Sequence, residues 1–384
     1  MVIAPVLTGK SAGLVKPDHS KTPGAVIDYI PAATRTYVGS PSIAILGCGT
    51  YVASHDIFGA RSKQRITRVF RSGDKGKTWR RQAEIDGAWW SGLFTCKGDL
   101  YLMGVSKSYG NVVIRRSKDG GKTWTTPKDG QKGLLLTGSR YHTSSMPLLV
   151  HKGRIWRTME DNTGRWGRDF RSFIMSAPLD ADLLKAANWT TSNRLASSAK
   201  WMGGRFGGWL EGNAVATGDG KIVNILRVQS PGGGKAAAVS ISDDGKTASF
   251  DPDTGLIDFP GGSKKFNIRF DAKTKLYWSL SNPVLDRYRG KTKPERTRNV
   301  LALMSSPDLK RWTIRSIVLE HPDAHKVGFQ YVDWLFEGDD LIAAIRMAHG
   351  DALGGAHNCH DANYLAFYRV KNFRKLTMKD GTKQ

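Results

Sequence analysis

Two octapeptides, Ser72-Gly-Asp74-Lys-Gly76-Lys-Thr78-Trp79 and Ser117-Lys-Asp119-Gly-Gly121-Lys-Thr123-Trp124, share the pattern Ser-x-Asp-x-Gly-x-Thr-Trp and start 45 residues apart. In such a segment the Asp bonds nearby backbone amides, the Gly adopts positive φ, and the Trp folds back over the hairpin that the turn closes. Two weaker copies follow. Ile241-Ser-Asp243-Asp-Gly245-Lys-Thr247 keeps the Asp, Gly and Thr but ends in Ala248, and Ser306-Pro-Asp308-Leu-Lys-Arg-Trp312 keeps Ser, Asp and Trp in a turn one residue shorter. Each copy follows a β-like run, at 66–71, 111–116, 236–240 and 299–304.

The pattern resembles the Asp-box, or BNR repeat, of β-propellers such as the sialidases. That box is a structural clasp, so the resemblance speaks to fold more than to chemistry. A second repeat counts the blades: short turns followed by β-formers recur at Gly47, Lys97, Lys152, Asp219, Lys273 and Glu337, at intervals of 50 to 67 residues. This spacing suits four-stranded blades with loops, and predicts an all-β, six-bladed β-propeller with seven blades as the competing count. The expected organisation is an N-terminal tail or strap over 1–36 (read chiefly at 1–21), one propeller domain over 37–373, and a C-terminal tail over 374–384.

Composition agrees with a turn-rich β protein, since the 384 residues include 43 Gly and 12 Trp and little apolar helical periodicity. The one helix expected lies at 180–187, where Leu183, Leu184 and Ala187 share a face. No run of 18 apolar residues is present, so no membrane span is expected. Cys48, Cys96 and Cys359 are odd in number and widely spaced, which predicts small buried residues and no disulfide framework. No charged-then-apolar leader precedes the fold, which fits a cytoplasmic chain or a mature exported one, and the glycan substrate argued below favours a secreted or periplasmic protein.

The net charge is +24, which makes polyanions the natural partners. Lys and Arg are scattered among hairpins without a helix-turn-helix, zinc-finger or aromatic RNA-binding signature, so nucleic acid is not the expected partner. An acidic oligo- or polysaccharide fits the charge better; a generally basic solvated surface is the plain alternative. The sequence assigns no oligomeric state and calls for no cofactor.

The strongest site signal begins at Glu211 and ends at Arg227, sixteen residues on, across an Asp-Gly hairpin. It resembles the sialidase segment in which a glutamate is general base for a tyrosine nucleophile and the arginine clamps the substrate carboxylate. Arg298, entering the last box-like turn, resembles a further clamp arginine. Gly328-Phe-Gln-Tyr331-Val-Asp333-Trp resembles the segment that carries the nucleophile, which assigns that role to Tyr331 and places Asp333 beside it. Arg346, in the strand that follows, is another candidate for the substrate carboxylate. A phenol is a poor nucleophile at neutral pH unless a carboxylate takes its proton and cations favour the phenolate, which Glu211, Arg227 and Arg298 would do. Without the resemblance, Glu211 and Arg227 read as a surface acid and a stray strand cation, and Tyr331 as a core aromatic.

The chain departs from the family pattern at two points. Gly39 stands where the first clamp arginine is expected, and the loop Arg61-Ser-Lys-Gln-Arg-Ile-Thr lacks the acid/base aspartate. His55 or Asp56 is the substitute proton donor. Tyr141-His142 and the pair His357 and His360 supply further groups near the expected pocket; the i, i+3 spacing of the pair is a weak metal signal without a third ligand, so no metal is assigned. Trp89-Trp90 and Trp209 are candidates for stacking on sugar rings, with core packing the equal alternative.

These residues support three readings. The first is a sialidase-like exo-glycosidase that releases a terminal acidic sugar, with Tyr331, Glu211, and His55 or Asp56 in catalysis. The second is a polysaccharide lyase that uses His55, His142, Tyr141 and Arg227 for β-elimination on a uronate. The third is a non-catalytic glycan-binding propeller.

Overall fold

Both octapeptides close hairpins through their own side chains. Ser72 Oγ donates to Asp74 Oδ1 at 2.8 Å, Asp74 accepts from Thr78 N at 3.0 Å and Thr78 Oγ1 at 2.6 Å, and Trp79 Nε1 returns to the Gly76 carbonyl at 3.1 Å. The second turn repeats the set, with Trp124 Nε1 on Gly121 O at 3.1 Å. Gly76 and Gly121 sit at φ 87° and 96°, where a side chain is disfavoured. In the third turn Asp244, not Asp243, takes the bond from Ser242 Oγ at 2.6 Å, while Asp243 faces outward to Lys152. In the fourth, Leu309 occupies the left-handed position at φ 65° and Trp312 Nε1 still bonds its carbonyl.

The structure, a computed structural model, describes residues 16–381. Six antiparallel sheets are arranged as the blades of a β-propeller. Blade 1 carries Tyr37–Val38 and Ser42–Ile45 on Tyr51–Phe58, then Ile66–Ser72 and Arg80–Asp86. Blade 2 runs Trp89–Cys96, Asp99–Val105, Val112–Ser117, Leu134–Leu136. Blade 3 is built on Arg154–Asn162 and Phe170–Pro178, with Tyr141–His142 and Leu149–His151 as a broken inner strand. Blade 4 runs Gly208–Ala216, Ile222–Gln229, Lys235–Ile241; blade 5 runs Asn267–Asp271, Leu276–Ser281, Val300–Ser306, Thr313–Glu320. Blade 6 runs Gly328–Glu337, Asp340–Ala348, Tyr364–Val370, and its outermost strand is Ala25–Tyr29 from the N-terminal side of the chain. Of the strap read at 1–21, residues 1–15 lie outside the described residues.

Apolar clusters fill all six junctions between neighbouring blades, including blade 6 against blade 1, where Ile342, Ala344 and Leu365 meet Ile43, Tyr51 and Phe70. The ring therefore closes at six and leaves no room for a seventh blade. Trp89, Trp156, Trp209, Trp278 and Trp334 are each almost fully buried in these junctions, and each contributes on the order of 2–3 kcal/mol of apolar burial.

Two local expectations fail. Residues 180–187 form turns rather than an α-helix, ending in a 3-10 turn at Ala186–Asn188. The Asp182 side chain accepts from Leu184 N, and Gly130 O takes the Ala186 amide, so local side-chain and cross-loop bonds replace the helical ladder. All three cysteines are free, as expected, but Cys48 is exposed at a hairpin tip rather than buried.

The inner strands of blades 2, 4 and 6 share one irregularity. Each inserts two residues opposite one of its neighbour: between Trp89 and Gly92, between Leu210 and Asn213, and between Gln330 and Asp333. The first residue of each bulge adopts left-handed backbone, with Trp90 at φ 47°, Glu211 at 54° and Tyr331 at 54°. Such bulges bend the strand and re-aim a side chain.

Candidate active site

Glu211 and Tyr331, placed by their bulges, meet at Arg227 on the second strand of blade 4. Arg227 Nη1 donates to Glu211 Oε2 at 2.8 Å and to Tyr331 Oη at 3.3 Å, while its Nε bonds the Ser263 carbonyl at 2.7 Å. Glu211 and Arg227 are 3% and 2% exposed, and Tyr331 is half-buried. Burial opposes ionisation of Glu211, but Arg227, His142 and Lys265 outweigh it and hold the carboxyl below its ordinary range. The same pairing raises Arg227 against the cost of its own burial.

Two further arginines pack on the Tyr331 ring, Arg298 at 5.4 Å and Arg346 at 4.7 Å from its centroid. Arg298 donates to Gln330 Oε1 at 2.6 Å and to the Glu295 carbonyl at 3.2 Å. Arg346 donates through Nη2 to the His360 carbonyl at 2.6 Å, and its buried Nε has no acceptor among the described residues. Burial lowers both guanidinium values. Of the three guanidinium groups around this half-exposed phenol, Arg227 and Arg298 have protein acceptors, whereas the unmet buried donor on Arg346 is costly until an acceptor reaches it.

Asp56 holds another side of the site. Its carboxylate is fully buried, accepts from Ser40 N at 2.7 Å and from Trp90 N at 2.7 Å, and is pushed up to about 6 by burial. A Cβ on Gly39 would overlap Asp56 Oδ1. Gly39 is therefore the space in which the Asp56 carboxylate sits, and Arg346 supplies a third cation from a different blade.

His142 lies 2.9 Å from Glu160 Oε2 through Nδ1 and is sandwiched by Trp90 and Phe170, with ring centroids at 4.4 and 4.7 Å. Glu160 also accepts from Gly212 N at 3.3 Å, beside Glu211. Glu160 escaped the sequence reading, although three polar residues in a row, Glu160-Asp161-Asn162, close its strand. Trp166 also escaped it; the ring is 46% exposed and lies 5.7 Å from the Arg227 guanidinium. Lys265 is a third omission, a buried ammonium on the Val332 carbonyl at 2.9 Å, lowered by burial to about 8.

The structure does not bring every candidate here. His55 points to the opposite face of its strand from Asp56, stacked on Phe70 with Nε2 2.8 Å from Asp28. Tyr141 is buried between blades 2 and 3 with its hydroxyl on the Thr137 carbonyl. Trp209 is fully buried against Trp201, Phe206 and Phe250, its Nε1 bonded to Phe170 O. Asp333 is saturated by Ser42, Ile43, Asn267, Arg269 and the Trp334 amide, and so ties blade 6 to blades 1 and 5. His357 lies on the Ala32 carbonyl and His360 on Asp361; burial lowers His360 to about 3, and its carbonyl, not its ring, holds Arg346.

No family model and no curated protein sequence matches the chain. Solved structures do. The α-L-arabinanase of Penicillium chrysogenum complexed with arabinobiose aligns over 92% of this chain and 99% of its own, at 16% identity and TM-score 0.58. The α-L-arabinofuranosidase Arb93A of Fusarium graminearum, in complex with an iminosugar inhibitor, aligns over 94% and 99%, at 12% identity and TM-score 0.56. A Hadza microbial sialidase aligns over 87% of this chain and 66% of its own, at 14% identity and TM-score 0.57. At these identities the likeness is one of fold.

Proposed function

We propose that the chain is an exo-acting glycoside hydrolase that releases a terminal carboxylated sugar from a glycan. The observation that carries this reading is the convergence of the Tyr331 hydroxyl and the Glu211 carboxylate on Arg227. Arg227, Arg298 and Arg346 bind the sugar carboxylate. Glu211 takes the phenolic proton as the Tyr331 oxygen attacks the anomeric carbon, and Asp56 gives its proton to the departing glycosidic oxygen. In the second half Asp56 takes a proton from water, the water oxygen attacks the anomeric carbon, and the bond to Tyr331 breaks with return of its proton from Glu211. Similar glycosidase structures at low identity support a carbohydrate substrate, and the arginine triad supports an acidic one. The resemblance of the paired turns and of the Glu211–Arg227 segment to the sialidase pattern supports the same class.

A second reading has one observation in its favour. His142, held by Glu160, is a candidate base for removing the C5 proton of a uronate, which would make the chain a lyase. Product mass separates the two: hydrolysis adds one water across the cleaved bond, whereas elimination adds none and leaves an unsaturated sugar.

A further inference from the structure

The loop between the second and third strands of blade 5, residues 282–299, leads directly into the site. Residues 287–298 carry six cations, Arg287, Arg289, Lys291, Lys293, Arg296 and Arg298, against one acid, Glu295. Arg287 is paired with Glu320 at 2.6 Å and Arg289 with Asp286 at 2.6 Å. Lys291, Lys293 and Arg296 are exposed and form no ion pair among the described residues.

This stretch is built, not merely charged. The carbonyls of three consecutive residues turn inward: Pro294 O accepts from the buried Lys264 Nζ at 2.7 Å, Glu295 O from Arg298 Nε at 3.2 Å, and Arg296 O from Cys359 Sγ at 2.9 Å. Lys264 sits beside Arg298 and Arg227, and burial among them lowers it well below its ordinary value. A buried lysine spent on one backbone carbonyl has a clear consequence, since it clamps the loop with its exposed cations outward. Arg296 is two residues from Arg298 and Lys291 seven, so at about 3.3–3.6 Å per residue the row ends within roughly 25 Å of the clamp.

We propose that this row is a docking track for a polyanionic glycan, so that the substrate is a chain of acidic sugars rather than one acidic residue capping a neutral glycan. The proposal rests on the reading of Arg298 as a carboxylate ligand. Single-residue recognition is met by Arg227, Arg298 and Arg346; it makes no use of Lys293 and Arg296, nor of Lys291, whose ammonium lies over the Tyr288 ring at 5.2 Å. Rim cations steer a polyanion and add salt-dependent affinity, chiefly through association rate.

The test is fluorescence anisotropy of an end-labelled hexameric oligogalacturonate, at about 50 and about 200 mM salt, with a neutral malto-oligomer and a single-stranded oligonucleotide of equal charge alongside. The expected result is binding of the uronate hexamer that weakens about 20- to 40-fold between the two salts, as for about three neutralised carboxylates. The triple variant K291Q/K293Q/R296Q should weaken it about tenfold at low salt and flatten the salt slope, with turnover of a single-residue acidic aryl glycoside unchanged. Equal affinity and slope in the triple variant would overturn the track. So would an oligonucleotide bound as tightly as the hexamer and weakened by the same substitutions, which would mark a general nucleic-acid surface. Arg298→Gln separates the two claims: if it leaves hexamer binding intact while the triple variant does not, the track stands and the carboxylate role of Arg298 fails.

Discussion

Arg227 and Arg346 occupy the same place in two different blades. Each is the partner, on the second strand, of the residue just before the inner-strand bulge: Leu210 pairs with Arg227 in blade 4, and Gln330 with Arg346 in blade 6. The residue that opens each bulge is Glu211 in one and Tyr331 in the other. The base and the nucleophile of the proposed reaction, each with an arginine, are thus two copies of one structural unit, and they meet at Arg227.

Removing either member of the reacting pair should abolish the chemistry, Tyr331→Phe with little effect on the fold and Glu211→Gln with some loss of stability, because it leaves the buried Arg227 charge without its carboxylate. Tyr331→Phe and Glu211→Gln are each expected to lower kcat by about 10²–10⁴-fold, with KM for an acidic substrate little changed. Steady-state kinetics on an acidic aryl glycoside checks this, with thermal melting as the control for folding.

Arg227→Met should cost stability as well as activity, because it strands the Glu211 charge in a site that is 3% exposed. The expected loss is about 3 kcal/mol or more. The double variant Glu211→Gln/Arg227→Met should recover part of it, since the stranded charge is gone. Urea unfolding of the four proteins measures the coupling.

Gly39→Ala should be far more disruptive than its size suggests. The new Cβ overlaps Asp56 Oδ1, so the carboxylate must leave the Ser40 and Trp90 amides. About 1–3 kcal/mol of destabilisation is expected from the overpacking, together with loss of turnover. Wild-type activity in Gly39→Ala would count against Asp56 as proton donor.

Asp56 also fixes the direction of a pH effect. Its value in the fold, about 6, lies above the ordinary 3.8, so the folded protein keeps a proton that the unfolded chain releases between these values. Its stabilising contribution is full below about pH 4 and is lost as pH rises through about 6. Turnover that needs the protonated donor should fall along the same limb. In Asp56→Asn both the falling limb and this part of the stability profile should vanish, as pH–rate and pH–melting curves would record.

Much of the architecture was legible because the turns carry it in their side chains. Ser72, Asp74, Gly76 and Trp79 satisfy one another within eight residues, so no distant partner is needed to recognise the hairpin. Counting from such turns also pointed to Arg298 and Tyr331, whereas Glu211 and Arg227 were legible in their own sixteen-residue segment. What depended on register was harder to see. His55 and Asp56 are adjacent, yet strand alternation sends one to a blade interface and the other to the site. Glu160 meets His142 only through a cross-strand pair with a two-residue inner strand. The role of Gly39 is visible only once Asp56 is seen in the space that its missing side chain leaves.

The covalent step on Tyr331 is the central claim, and a quenched reaction with a slow acidic glycosyl fluoride tests it most directly. Peptide mass spectrometry after quenching is predicted to find one sugar residue attached at Tyr331 in the wild type and none in Tyr331→Phe. Turnover of the same substrate with no adduct on Tyr331, or with the sugar carried on a carboxylate, would contradict the account.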